Sequence, residues 1–273
     1  MSITLVIVGN TQHNLMKFAV EKTKNCVPID KIKVFSDIDP KIEGSEFIPL
    51  PERFGLYEYS LFMIKELVKY IDTDHVLICQ YDGFGVNKEF WNDKYLQYDY
   101  IGSATYYKHA PLFKTLTECK IVENMTDEWY SLGGGFCLRS KKLLEALSDP
   151  KIEPSFFNYS VNAGWSCEDI SIGIIYKNYL EENYGIKFGS MEDSIEFAAE
   201  ILSGYNFCLG FHGWVHVPLF LSEQETLYYI KEYINYNGTS KVNMHNLMKF
   251  VGACYDQNYF SVISFLKRLY NFI

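Results

Sequence analysis

The chain has 273 residues and a mass of 31.8 kDa; 48% of the residues are apolar and 22% charged, which allows a large core and excludes a disordered or fibrous chain. Thirty-four acidic against 25 basic residues leave a net charge of -9, the wrong sign for a binder of nucleic-acid backbones, so no nucleic-acid partner is expected. No apolar run approaches the ~18 residues of a helical membrane span. The opening Met1-Ser2-Ile3-Thr4-Leu5 lacks the basic leader of a signal peptide, so a cytoplasmic location is expected.

In chain order, Ile3 to Val8 is rich in β-branched residues and nearly continuously apolar, the pattern of a strand covered on both faces. It runs into Gly9-Asn10-Thr11 and a helix carrying Leu15, Phe18 and Ala19. Ile32 to Phe35 reads as a second strand and Phe47 to Leu50 as a third, which gives the strand–helix–strand order of an α/β fold. Apolar residues from Tyr59 to Ile71 recur at helical spacing. His75 to Cys79 is a compact strand that enters Gln80-Tyr81-Asp82-Gly83. Tyr98 to Gly102 reads as another strand, and 103–130 as a long loop with fragments of structure, of the kind that carries function.

Ser131 to Arg139 reads as a glycine-led strand, with Ser140 capping a helix that ends near Leu147. Asp149 to Gly164 is expected to be irregular. Glu168-Asp169 opens a helix bearing Ile170, Ile174 and Tyr179, where the helix dipole also favours acidic residues. Beyond Pro218 three helical stretches follow. The last, Tyr259 to Ile273, reads as packed against the main domain or a partner subunit. Peripheral contact with the inner face of a membrane is the alternative, although the segment carries only Lys267 and Arg268 as cations. Two units are expected, residues 1–219 and a helical C-terminal extension, 220–273.

The seven cysteines form no C-x-x-C pair, so they read as small buried hydrophobes in a reducing compartment. Sequons at Asn124, Asn158 and Asn237 read as chance matches. The turn after the first strand has no G-x-G-x-x-G, and no G-x-x-x-x-G-K-[ST] occurs anywhere, which counts against dinucleotide and P-loop enzymes. Three clusters and one histidine remain. Asp82, at a strand's C-terminal edge before a glycine, suits a divalent cation on a diphosphate, or equally a polar turn. Gly133-Gly134-Gly135 suits close approach of backbone to a ligand, or a loose loop. Trp165 to Asp169 sets an aromatic plate beside two carboxylates, Glu168 and Asp169, able to stack on a sugar and take a hydroxyl proton. His212 reads as a metal ligand or a satisfied core histidine.

Taken in order, Glu58-Tyr59-Ser60, the His75–Phe84 run, Tyr98–Gly102, Gly133–Ser140, Glu168-Asp169-Ile170 and Phe211-His212-Gly213 resemble the GT-A glycosyltransferase fold. They more closely resemble the bacterial glycosyltransferase-like domain family of unknown function DUF5672, over roughly residues 3 to 216. The resemblance implies a mostly parallel α/β sheet, a nucleotide-sugar donor (UDP being the first guess) and a glycan or lipid-linked acceptor. It implies Mn²⁺ or Mg²⁺ held by Asp82 and His212, with Gln80 a neutral residue where the family's acidic motif often carries a carboxylate. Trp165 to Asp169 then corresponds to the acceptor segment of inverting galactosyltransferases, with Asp169 as base and Glu168 the alternative. Asn10, Thr11 and Asp37 fall at the nucleoside, Arg53 at the diphosphate, and Gly134 and Gly135 against sugar, while Arg139 pairs with a carboxylate. The rivals are a carbohydrate-binding protein on a decayed transferase fold, a glycoside hydrolase, which needs two carboxyl groups flanking the bond, and a purely structural protein.

Overall fold

The computed structural model describes residues 1–52, 54–106, 129–154, 156–160, 163–200, 207–238 and 242–270, with backbone alone at 106, 156–160 and 163–166. Its strands are β1 (Ile3–Val8), β2 (Lys31–Ser36), β3 (Ser45–Pro49), β4 (His75–Cys79), β5 (Gly83–Gly85), β6 (Tyr100–Ile101), β7 (Ser103–Tyr106), β8 (Trp129–Leu132), β9 (Phe136–Ser140), β10 (Phe156–Ser160), β11 (Ala163–Ser166), β12 (Ala198–Ala199) and β13 (Gly210–His212). The main sheet runs β3-β2-β1-β4-β9-β6. The first three pairings are parallel and the last two antiparallel. This is an α/β architecture with a largely parallel sheet and C-terminal helices.

The apolar alternation of β1 and β4 explains why both faces are covered. Leu5, Ile7, Leu77 and Cys79 enter one core, with Leu15 and Ala19 of the helix His13–Lys24. Val6, Val8, Val76 and Ile78 enter the other, against Phe62, Leu67 and Leu143. The second core is roofed by the helical segment 56–70, which passes from α-helix through a π-turn to a 3₁₀ turn. Ser140 caps the helix Lys141–Ala146 as expected, its Oγ accepting from the Leu143 N–H at 3.0 Å.

The C-terminal helices belong to the first core. Tyr229, Ile230 and Ile234 of the helix Glu223–Asn237, Leu247 and Phe250 of Met244–Asp256, and Val262 and Leu266 of Phe260–Tyr270 all share it with β1. Ser222 and Glu225 form a capping box at the start of the first of these helices, which runs through Asn237 to a positive-φ Gly238. No helix among the described residues is long and apolar enough to cross a membrane. Of the six cysteines described, Cys26, Cys79, Cys137, Cys208 and Cys254 are buried and all are free thiols.

The expected 103–130 loop with fragments of structure carries the paired antiparallel strands β7 and β8 at its two ends; residues 107–128 lie outside the described residues. Two expectations are corrected. The stretch before Gly164 is not irregular, because β10 and β11 form a hairpin. The glycines do not lead a strand: they make the turn between β8 and β9, with Gly133 at φ 75.

Candidate functional site

The order β3-β2-β1-β4 reverses direction at β1, so the C-terminal ends of β1 and β4 open a crevice between them, the usual ligand position in such sheets. Beyond β4 the chain turns at once. Gln80 and Gly83 exchange backbone hydrogen bonds of 2.7 and 3.1 Å, closing a two-residue turn around Tyr81 and Asp82. The returning β5 pairs with β13 in a register that sets His212 opposite Gly83, and the Gly213 N–H donates to the Asp82 carbonyl at 2.7 Å. Register alone therefore makes neighbours of two residues 130 positions apart. Phe84 and Phe211, with ring centroids 4.7 Å apart, anchor this small sheet.

Asp82 Oδ1 is buried without a hydrogen-bond partner. Burial pushes the Asp82 carboxyl above the usual range and Glu200 adds to this, while His212 opposes it. His212 Nδ1 lies 2.8 Å from Glu200 Oε1, and Glu200 Oε2 accepts from Ser103 Oγ at 2.6 Å. Burial works against Glu200's charge, but His212 and Ser103 hold its carboxyl below the usual range. An ionised carboxylate can only accept, so Nδ1 carries the hydrogen. Burial likewise works against charge on His212, but Glu200, Asp82 and Asp169 outweigh it and lift the imidazole to about 10.

Each glycine of the triplet lies against a different polar side chain. A Cβ on Gly133 would stand 2.7 Å from Glu200 Oε2; one on Gly134, 2.4 Å from Glu168 Oε1; one on Gly135, 2.3 Å from His212 Nε2. Real Cβ atoms do not tolerate such distances, so close approach, rather than looseness, explains the three glycines.

Glu168 and Asp169, adjacent in sequence, have different surroundings. Glu168 is buried and its Oε1 accepts from Arg139 Nη2 at 3.0 Å. Arg139 is wholly buried, with Nε on Cys137 Sγ at 3.3 Å and the guanidinium 5.6 Å from the Tyr100 ring centroid. Asp169 instead accepts from the Gly134 N–H at 3.2 Å and the Ile170 N–H at 2.8 Å. Burial raises the Asp169 carboxyl, as does the charge on Glu200, against the pull of the two N–H groups. Glu168 is raised by burial and by Asp169, with Arg139 opposing. Gln80 donates to Tyr59 Oη at 2.9 Å.

On the β1–β2 side, Asn10 donates to the Glu52 carbonyl at 3.0 Å and Thr11 is exposed. Asp37 lies 2.9 Å from His13 Nε2; burial opposes its ionisation, yet the His13 contact holds it below the usual range. A cavity of about 300 Å³ opens beside these residues, lined by Gln12, His13, Asn14, Glu232, Asn235 and Tyr236. Arg53 and the Trp165 side chain lie outside the described residues.

The structure thus brings Asp82, His212, Asp169, Gly134 and Gly135 together, and sets Asn10, Thr11 and Asp37 along the same edge. Sequence reasoning missed Glu200, Ser103 and His13, and had Tyr59 as a motif residue without its contact to Gln80. A lone glutamate after two alanines carries no motif; a histidine two positions beyond Thr11 was the one available sign of the Asp37 contact. Among the described residues no three His, Cys, Asp or Glu side chains gather closely enough to hold a metal alone. The orphaned Asp82 Oδ1, with the imidazole of His212 on the adjoining strand, nonetheless fits a cation that takes its remaining ligands from a substrate diphosphate and water, the usual habit of Mg²⁺.

Residues 46–212 match the model of the family described as "Protein of unknown function (DUF5672)". The match covers more than half of the chain, which belongs to that family. No curated protein matches it. Among solved structures it is similar to glucosyl-3-phosphoglycerate synthase from Mycobacterium tuberculosis in complex with Mn²⁺, UDP and glucosyl-3-phosphoglycerate, at 15% identity over 69% of this chain and 68% of that one, with a TM-score of 0.41. The same enzyme with Mn²⁺ and UDP-glucose gives 14% identity over 52% and 56%, TM-score 0.37. The bifunctional IspDF of Campylobacter jejuni gives 15% over 71% and 51%, TM-score 0.41. The first solved chains matched share only 53% to 57% of their own length with this chain. These are distant likenesses, and the chemistry argued for this chain comes from its own residues.

Proposed function

We propose that this protein is a GT-A-type glycosyltransferase that moves a sugar from a nucleoside-diphosphate donor to a hydroxyl of a glycan or lipid-linked acceptor, in the cytoplasm. The observation that carries the reading is the meeting of Asp82, His212 and Asp169 around Gly134 and Gly135 at the C-terminal edge of the sheet. In this reading Asp37, Asn10 and Thr11 serve the nucleoside and Arg53 the diphosphate, the backbone at Gly134 and Gly135 lies against the sugar, and Trp165 belongs to the acceptor side. A uridine nucleotide is the first donor to test.

Asp169 is the base. Glu168 is committed to the Arg139 guanidinium, whereas Asp169 is anchored by the Gly134 and Ile170 backbone N–H groups and, among the described residues, accepts from no cationic side chain. The acceptor O–H gives its proton to Asp169, its oxygen bonds to the anomeric carbon from the face opposite the diphosphate, and the C–O bond to the diphosphate breaks with inversion. Asp82 and His212 would hold Mn²⁺ or Mg²⁺, which when bound compensates charge on the departing diphosphate. The Gln80–Tyr59 hydrogen bond supports a second reading, a carbohydrate-binding protein without turnover.

Thermal-shift titration with UDP, GDP and CMP, with and without Mn²⁺, on wild type and Asp82→Asn separates these. Saturation at 100 times Kd adds about 2.7 kcal/mol to stability. A rise with one nucleotide that requires Mn²⁺ and disappears in Asp82→Asn is expected; no rise with any nucleotide sinks the donor site. Asp169→Asn keeps that rise and loses sugar transfer by about 100-fold or more. Equal product formation in the variant overturns the assignment of the base.

A further inference from the structure

We infer that Glu200, backed by Ser103, is the positioning residue that sets which nitrogen of His212 faces the donor site. The inference rests on the reading of Asp82 and His212 as a cation site and adds to it residues outside the expected site. Both oxygens of Glu200 are committed: Oε1 takes the Nδ1–H of His212 at 2.8 Å and Oε2 takes the Ser103 hydroxyl at 2.6 Å. Glu200 therefore cannot turn without losing one of them. The backbone closes around the pair. Gly133, at φ 75, would place a Cβ 2.4 Å from Ser103 Oγ and 2.7 Å from Glu200 Oε2, and Gly135 would place one 2.2 Å from His212 Cδ2.

The chemical consequence lies on the far side of the ring. With Nδ1–H held by the carboxylate, Nε2 is the nitrogen whose hydrogen a cation displaces and whose lone pair would then bind it. Nε2 is the atom beside Gly135. Without Glu200 the ring could present either nitrogen and rotate about its χ2 bond, and Asp82 would be left as the one ordered ligand. Three elements must therefore assemble for one nitrogen to point correctly: the start of β7, the residue after β12 and the end of β13.

The test uses the full chain with Glu200→Gln and Ser103→Ala. Mn²⁺ affinity in the presence of UDP is read from the paramagnetic resonance of free Mn²⁺, and the His212 tautomer from imidazole nitrogen NMR shifts, assigned with His212→Asn. Glu200→Gln is expected to weaken Mn²⁺ by about 10- to 100-fold, to leave metal-free UDP binding as in wild type, and to alter the His212 nitrogen pattern. Ser103→Ala, which keeps the carboxylate, shows a smaller loss in the same direction. A folded Glu200→Gln protein with Mn²⁺ affinity within two-fold of wild type overturns the inference. If wild type binds no Mn²⁺ with UDP, the cation reading fails, and the nitrogen pattern of the metal-free protein decides the positioning role alone. A pattern unchanged by Glu200→Gln refutes it, and a changed one upholds it.

Discussion

Removing the Arg139 guanidinium tests how the acidic pair is divided. Arg139 is 0% exposed and Glu168 4%, so Arg139→Met leaves a buried carboxylate without its countercharge, next to Asp169. Breaking a buried pair on one side costs about 3–5 kcal/mol, because the partner's desolvation is no longer offset. For a chain of this size each kcal/mol lowers the melting temperature by about 2 °C, so a fall of about 6–10 °C is expected. Glu168 escapes by taking up a proton, which raises its folded-state pKa above the unfolded value. Its protonated form then favours folding below the unfolded value, and that benefit is lost as pH rises. The deficit of Arg139→Met is therefore largest at neutral pH and shrinks as pH falls toward the ordinary carboxylate range. Arg139→Met combined with Glu168→Leu removes both charges and should return to within about 1 kcal/mol of wild type. Urea unfolding of the two single variants and the double variant at two pH values supplies the cycle. A single variant within about 1 kcal/mol of wild type, or additive losses in the double variant, refutes the reasoning.

Gly135→Ala is expected to drive the His212 ring from its place, since the new Cβ would stand 2.2 Å from Cδ2. The Mn²⁺-dependent nucleotide shift should vanish while the far-ultraviolet circular dichroism is kept, and a preserved shift would show that the ring has room to spare. Asp149 accepts from the Tyr179 and Tyr184 hydroxyls at 2.6 and 2.7 Å and from the Lys151 N–H at 2.9 Å, Tyr179 leading in holding its carboxyl down at about 2. Its contribution is full above the unfolded value of about 3.9 and is lost as pH falls toward 2. Asp149→Asn should flatten that part of an acid-unfolding profile, and an unaltered profile between these limits counts against the contact.

The elements legible in the amino-acid order were those whose pattern is enforced by cover on both sides. Leu5–Val8 and Val76–Cys79 are apolar without interruption because successive side chains enter one or the other of two cores. Ser140 announced its helix by chemistry that depends on three neighbouring residues alone. The hairpins β7–β8 and β10–β11 were missed because Ser, Thr, Asn and Gly along them break the apolar alternation, and pairing takes its place. At the site, Asp82 and Asp169 were legible as carboxylates at the ends or beginnings of elements. Glu200 was not, because its role arises from a histidine 12 positions onward and a serine 97 positions earlier. The glycines were recognised, but what each of them avoids is visible only in three dimensions.

The helix Glu223–Asn237 also has a consequence for how the chain is made. It is tied to the segment after β1 by Asn14 Nδ2 on Glu232 at 2.7 Å, by the Lys22–Glu225 ion pair and by Gln12 Nε2 on the Tyr233 carbonyl at 3.4 Å. On a ribosome adding about 5–20 residues each second, the first strand waits roughly 10–50 s for this helix to be synthesised. Throughout that interval Leu5, Ile7, Leu15 and Ala19 lack the residues that will seal their side of the sheet. The nascent first half is therefore a natural client for a chaperone that shields apolar surface during synthesis.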